Sequence, residues 1–184
     1  MIVPSGDLSA QGAMLRDDND SPVLGTGLTI SNAITLTGNN TTVTVPIFHV
    51  TGTVEVLAIW GVVTTTLGAN VTAAAWRLND QTAQVNITLD TGTDISAAVA
   101  GSTILKKGLA AAALTFNNAS AGRVTEPTTL ETLYFSPFVA SQKTGGVTTD
   151  IEFVYATTDT PTLGAITFYA QYIPLGQNSK LTTA

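Results

Sequence analysis

The stretch Val54-Glu55-Val56-Leu57-Ala58-Ile59-Trp60-Gly61-Val62-Val63 is the most apolar run in the chain. In extended backbone, successive side chains point to opposite faces. Val54, Val56, Ala58, Trp60 and Val62 then share one face, while Leu57, Ile59, Gly61 and Val63 fill much of the other, which also carries Glu55. A strand that is apolar on both sides is a central strand, or one whose outer face meets another subunit.

Outward from this run the pattern is strand, turn, strand. Ile30, Ile34 and Leu36 lead into Gly38-Asn39-Asn40-Thr41, and alternation resumes at Val43, Val45 and Ile47. Gly and Asn tolerate positive φ, so the spacing predicts a hairpin here. Pro46 lacks a ladder donor and belongs at an edge or a bulge. Val50-Thr51-Gly52-Thr53 turns the chain into the apolar run. A second hairpin is expected where 73–77 and 82–89 flank Leu78-Asn79-Asp80-Gln81. The alanine-rich stretch 95–114 has the composition for a short helix, interrupted by Gly101, Thr103 and Gly108.

Further strands are expected at 130–135, 148–156 and 165–173, with turns at Gly145-Gly146 and Asp159-Thr160-Pro161. The last strand places Ile166, Phe168, Ala170 and Tyr172 on one face and Ala165, Tyr169 and Ile173 on the other. Pro174 and Gly176 end it, leaving a polar tail from Gln177. There is no exact repeat and no βαβ rhythm. The fold class expected is all-β: an antiparallel β-sandwich or jelly-roll-like barrel, occupying residues 26–184 as one domain. Leu57, Ile59, Trp60, Tyr169 and Ile173 are the expected subunit-interface residues.

Residues 1–25 read differently. They hold Pro4, Pro22, Gly6, Gly12 and Gly25, the acidic run Asp17-Asp18-Asn19-Asp20, and apolar residues without a period. An extended N-terminal arm, ordered by docking on something else, fits this composition. Its expected docking residues are Ile2, Val3, Pro4, Leu8, Met14 and Leu15. No basic region precedes an apolar one at the N-terminus, so no secretory signal is expected.

Composition narrows the chemistry. More than one residue in six is threonine, 11% are charged, cysteine is absent and histidine occurs once. Such a chain favours strands and turns and is poor in acid-base, nucleophilic and metal-binding groups. The formal net charge of -6, with seven Lys and Arg in all, disfavours nucleic acid and anionic membranes as partners. Every apolar stretch is interrupted well before the roughly 18 residues of a spanning helix, despite a mean hydropathy of +0.29. High apolarity with few charges is reconciled by burial between subunits.

Leu89-Asp90-Thr91-Gly92-Thr93, after Val85 and Ile87, resembles the Asp-Thr-Gly turn of aspartic proteases, where two aspartates share a proton and activate water. The crossing apolar-apolar-Gly strand is poorly matched by Thr162-Leu163-Gly164-Ala165, and Asp-Thr-Gly is also a good turn. His49 has no Gly-x-Ser-x-Gly elbow to serve and reads as structural. Asp17-Asp18-Asn19-Asp20 lacks the spacing of a Ca²⁺ loop. Lys106-Lys107 reads as a solvated turn. Trp60, Trp76, Tyr134, Tyr155, Phe168, Tyr169 and Tyr172 suit a core and interfaces, with a sugar-binding face as the alternative. No enzyme activity, cofactor or metal is expected.

Two segments carry a family resemblance. Val50-Thr51-Gly52-Thr53-Val54 through Gly61-Val62-Val63-Thr64-Thr65-Thr66-Leu67-Gly68-Ala69, and Gly164-Ala165-Ile166-Thr167-Phe168-Tyr169-Ala170-Gln171-Tyr172-Ile173-Pro174-Leu175, resemble small structural proteins of tailed-bacteriophage virions. The nearest group is the head decoration (cement) or head-fibre type. The resemblance spans residues 41–184, rests on texture and order, and leaves the arm unaccounted for. It implies an all-β homotrimer on the capsid surface, with the major capsid protein as partner and no catalytic site. A trimeric fibre, tail-tip or adhesin domain binding a host glycan is the alternative.

Overall fold

The computed structural model describes residues 27–38, 40–89, 92–108, 110–117, 136–143, 147–158 and 163–184. Its strands are β1 (Leu28–Thr35), β2 (Thr42–Thr51), β3 (Thr53–Thr65), β4 (Val71–Asn79), β5 (Gln84–Asn86), β6 (Thr103–Leu105), β7 (Thr115–Asn117), β8 (Phe138–Ser141), β9 (Thr149–Thr157), β10 (Ala165–Pro174) and β11 (Lys180–Thr183). No helix occurs among the described residues. The strands form two antiparallel sheets. One runs β1-β10-β3-β6-β7, with β8 also paired to β3, and the other runs β11-β2-β9-β4-β5.

Set aside β6, β7 and β11, and the order is β1-β10-β3-β8 against β2-β9-β4-β5. Each of β1, β2, β3 and β4 pairs with β10, β9, β8 and β5 in turn. That is a long two-stranded ribbon folded over on itself, the jelly-roll winding. The sheets stay open, so the sandwich form of the expected fold is the one adopted. β6 and β7 are an insertion between β5 and β8, and β11 extends the second sheet.

The winding corrects the first expected hairpin. Gly38 and Asn40 do adopt positive φ, but β1 and β2 lie in different sheets and do not pair. The turn carries the chain across the sandwich. Its sides are fastened by Leu36 N–H to Gly164 O at 2.9 Å and by Tyr155, whose hydroxyl donates to Thr37 O at 2.6 Å and accepts from Thr37 N–H at 3.0 Å. Gly52, with φ of 63°, makes the crossing from β2 to β3 in the same way. Gly and Asn therefore announce a reversal, while the sheet that receives the next strand depends on which face is apolar.

Between the sheets, Trp76, Phe153 and Phe168 form the centre of the core, each fully buried. The Phe153 and Phe168 rings lie 4.8 Å apart, and Trp76 meets Phe168 edge-on at 6.4 Å. Tilted and edge-on arrangements suit the ring quadrupoles. β10 alternates as its sequence predicts, with Ile166, Phe168, Ala170 and Tyr172 buried. β3 does not. Gln171 pairs with Ala58 and Tyr172 with Val56, so Leu57 is an extra residue in β3. The bulge reverses the alternation beyond it. Val54 and Val56 face the core before it, and Ile59, Gly61 and Val63 after it. Pro46 sits at a second bulge, where β2 slips against β9 between Pro46 and Phe48.

Two other expectations change. The described residues of 95–114 form no helix, because Ala97 and Gly101 take positive φ and bond back to the sandwich. Ala97 N–H reaches Gly68 O at 2.9 Å and Gly101 N–H reaches Val63 O at 2.8 Å. The polar tail is not free either. β11 pairs with the end of β2 and buries Leu181. The expected strand at 130–135, the turns at Gly145-Gly146 and Asp159-Thr160-Pro161, and the arm all lie outside the described residues.

The second expected hairpin is present with its turn shifted: Leu78 and Asn79 lie in β4 opposite Val85 and Gln84, and the turn falls at 80–83. Asp80 Oδ1 accepts from the N–H groups of Thr82 and Ala83 at 2.9 and 2.6 Å and from the Thr82 hydroxyl at 2.8 Å. Lys143 also reaches Asp80 Oδ2 at 3.4 Å. These bonds, led by the Ala83 N–H, hold the Asp80 carboxyl well below its ordinary value of 3.8. A carboxyl depressed by folding stabilises the native state above its unfolded value and loses that contribution as pH falls through the folded one. In thermal melts between pH 7 and pH 2, Asp80→Asn should therefore lose less stability below pH 3.8 than the native chain. Parallel curves for the two proteins would remove Asp80 from the acid response.

Candidate functional site

The two outer faces of the sandwich differ in chemistry. On the six-stranded sheet, the bulge at Leu57 turns Trp60 outward. Trp60 pairs in register with Tyr169 on one side and Leu105 on the other. Its ring stacks on Tyr169 at 5.3 Å between centroids and 10° between planes. Leu57, Val62 and Ile173 are partly exposed on the same face. Gly27, the first described residue, lies against it, so close that a Cβ would stand 3.2 Å from Leu57 Cδ1 and 3.4 Å from Gln171 Cγ.

Four of the five expected interface residues, Leu57, Trp60, Tyr169 and Ile173, are brought together here. Ile59 is not among them. The bulge turns it inward, where it is fully buried in the core of its own chain. Simple alternation missed this, because an inserted residue leaves no mark in an unbroken apolar run. Ile2, Val3, Pro4, Leu8, Met14 and Leu15 lie outside the described residues. So do Asp90 and Thr91 of the protease-like turn. Gly92 is seen at φ 62°, where a Cβ would fall 2.1 Å from the Ala73 carbonyl carbon. A glycine is required there by backbone packing.

The outer face of the five-stranded sheet carries charge. Asp150 and Glu152 project outward from β9, yet are only 4% and 3% exposed. Neighbouring strands cover them. His49 Nδ1 lies 2.6 Å from Asp150 Oδ1, and Gln81 Nε2 donates to Asp150 Oδ2 at 3.1 Å. Arg77 Nε donates to Glu152 Oε2 at 2.7 Å and Asn79 Nδ2 to Glu152 Oε1 at 2.8 Å. Arg77 also reaches the Thr44 hydroxyl at 2.9 Å. The structural reading of His49 acquires a partner in Asp150, and the buried carboxylates are satisfied as buried charges must be. No group of three or more metal-ligating side chains occurs among the described residues.

A third feature was missed in the sequence. Lys106 is 4% exposed, not solvated. Its ammonium donates to Gly108 O at 2.7 Å and Ser136 O at 3.0 Å, and stands 5.5 Å from the Phe138 ring centre. Burial pushes this ammonium below the ordinary lysine value of 10.5. Lys107 beside it is only partly buried.

No protein-family model, characterised protein or solved structure matches the chain. Function therefore rests on the faces just described. The Arg77–Glu152 pair is testable by itself. Glu152→Ala strands a mostly buried guanidinium and should cost about 3 kcal/mol in urea unfolding, while Arg77→Met with Glu152→Leu should recover most of it. A loss below about 1 kcal/mol for the single variant would reduce the pair to an ordinary surface salt bridge.

Proposed function

We propose that the protein is a self-associating structural component of a phage virion, a head decoration or cement protein that binds the major capsid protein and holds neighbouring capsid subunits together. The observation that carries this reading is the outer face of the six-stranded sheet. There Leu57, Trp60, Val62, Leu105, Tyr169 and Ile173 form an apolar, aromatic surface on the outside of a sandwich that already has a complete core. Contiguous apolar surface of this kind is characteristic of a protein contact. The partner on this face is a second copy of the chain, and a trimer is the assembly proposed.

Two further features support the reading. The jelly-roll winding recurs in viral capsid and lectin domains, an argument from fold analogy. The segments at 50–69 and 164–175 that resemble phage structural proteins are β3, β10 and their flanks, the strands that build this face. Residues 1–25 are proposed as the capsid-docking arm. A trimer that engages several capsid subunits gains through effective concentration, so each contact can be modest.

The stacked Trp60–Tyr169 pair also suits a second reading, a fibre or adhesin domain whose aromatic face takes a host glycan. Three measurements decide. Trp60→Ser with Tyr169→Ser should convert an oligomer to a folded monomer in light scattering. Deleting residues 1–25 should abolish binding to undecorated heads and leave the oligomer intact. Particles should carry the protein in hundreds of copies, as the number of capsid junctions demands. A monomeric native chain, decoration by the truncated protein, or a handful of copies with a glycan-array signal would each count against the decoration reading.

A further inference from the structure

Lys106 lines a half-open cavity of about 200 Å³ at the seam where the β6–β7 insertion joins the jelly roll. Its walls are apolar. Leu78, Val85 and Ile87 come from the edge of the five-stranded sheet, and Pro137, Phe138 and Val139 from β8 and its approach. Val85 and Val139 are 60% and 59% exposed, the two most exposed large hydrophobic residues among those described. Both line the cavity.

The electrostatics of this cavity are one-sided. An ammonium has three N–H donors, and two are taken by Gly108 O and Ser136 O. No carboxylate among the described residues pairs with it. The buried carboxylates of the five-stranded sheet are committed elsewhere, Glu152 to Arg77 and Asn79 and Asp150 to His49 and Gln81. A buried cation with no counter-ion among the described residues is costly, and an anion brought to it in a low-dielectric site interacts strongly. Carbonyl oxygens and the Phe138 ring offset the cost only in part.

We propose that this cavity binds a small apolar carboxylate, with the carboxylate on the third N–H of Lys106 and the hydrocarbon against Leu78, Ile87, Phe138 and Val139. The volume sets the ligand class. It falls below the roughly 300–1,000 Å³ of drug-sized sites, so a short acyl or single-ring aryl acid fits and a long-chain fatty acid does not. The acid pairs with the ammonium while its tail excludes water from the pair. The depressed Lys106 value points the same way, since a bound anion relieves the penalty on the charged form. The site is independent of the virion reading, because it lies at the sandwich edge and not on the Trp60–Tyr169 face.

The test is calorimetric titration and thermal melting of the full-length chain with hexanoate and benzoate. Hexanol supplies the tail without the charge, and acetate the charge without the tail. At ligand concentrations on the order of 10 mM, hexanoate or benzoate should raise the melting temperature saturably by several degrees, and acetate and hexanol by much less. Lys106→Met should bind roughly ten- to a hundredfold more weakly, since a charge-assisted hydrogen bond is lost. Its own melting temperature should match or exceed that of the native chain, because an apolar isostere removes the buried charge. Val85→Trp, a substitution at the exposed mouth, should block binding with Lys106 in place. No saturable shift with either acid, hexanol equalling hexanoate, or unchanged binding by Lys106→Met would each overturn the proposal.

Discussion

One extra residue in β3 governs what the rest of the molecule can do. Without the bulge at Leu57, strict alternation would drive Trp60 into the core at the level where Phe168 already packs. With it, Gly61 takes the inward position, and Ile166 and Phe168 fill the space a side chain there would need, within about 3 Å of its missing Cβ. The same reversal sends Trp60 outward onto Tyr169 and buries Ile59. It also coincides with a change of partner, for β3 pairs with β8 up to Val56 and with β6 from Trp60. Lys106 sits at that change, its N–H bonded to Ile59 O at 3.2 Å and its side chain bridging to Ser136 O ahead of β8. The aromatic face is thus a consequence of this irregularity, and Lys106 of the cavity is bonded to β3 just beyond it.

The faces are closed by different physics. β9 is buried on both sides, although one side carries two carboxylates, because His49, Arg77, Asn79 and Gln81 lie over them and satisfy them. Replacing that cover with a partner protein would mean breaking charge-assisted bonds, which makes this face a poor place to associate. The opposite face offers aromatic and aliphatic groups whose transfer out of water is favourable at roughly 25 cal/mol per Å². Of the two faces, that of the six-stranded sheet is therefore the one whose burial against another molecule would carry the smaller desolvation cost.

Much of the fold was legible in the sequence. The alternation of β10, the existence of the β4–β5 hairpin and the Pro46 bulge follow from side-chain period, turn chemistry and a missing N–H. The destination of each turn was not, since Gly38 and Asn40 serve equally a hairpin and a crossing between sheets. Of the outer face, Leu57, Trp60, Tyr169 and Ile173 were legible as apolar residues in excess of what one core needs. Ile59 was misplaced because a bulge shifts phase without changing composition. Lys106 was read as solvated because a lysine next to a lysine usually is. Its burial comes from the insertion folding back beside β8, a tertiary event with no local signal.

The winding also constrains how such a chain reaches its structure. Among the described strands only β4–β5 and β6–β7 pair with their neighbours in sequence, and every other pairing joins distant segments. In the folded ribbon, the β4–β5 turn is the closed end from which β4–β9, β9–β2, β3–β10 and β10–β1 follow at growing separation. Loop-closure entropy makes the distant pairings slow unless nearer ones form first, so a chain of this topology gains from a turn that is locally stable. Asp80 supplies that stability through three bonds within its own turn, needing no tertiary partner. The remaining pairs link segments distant in sequence, so opening one local hairpin does not release the strands they join.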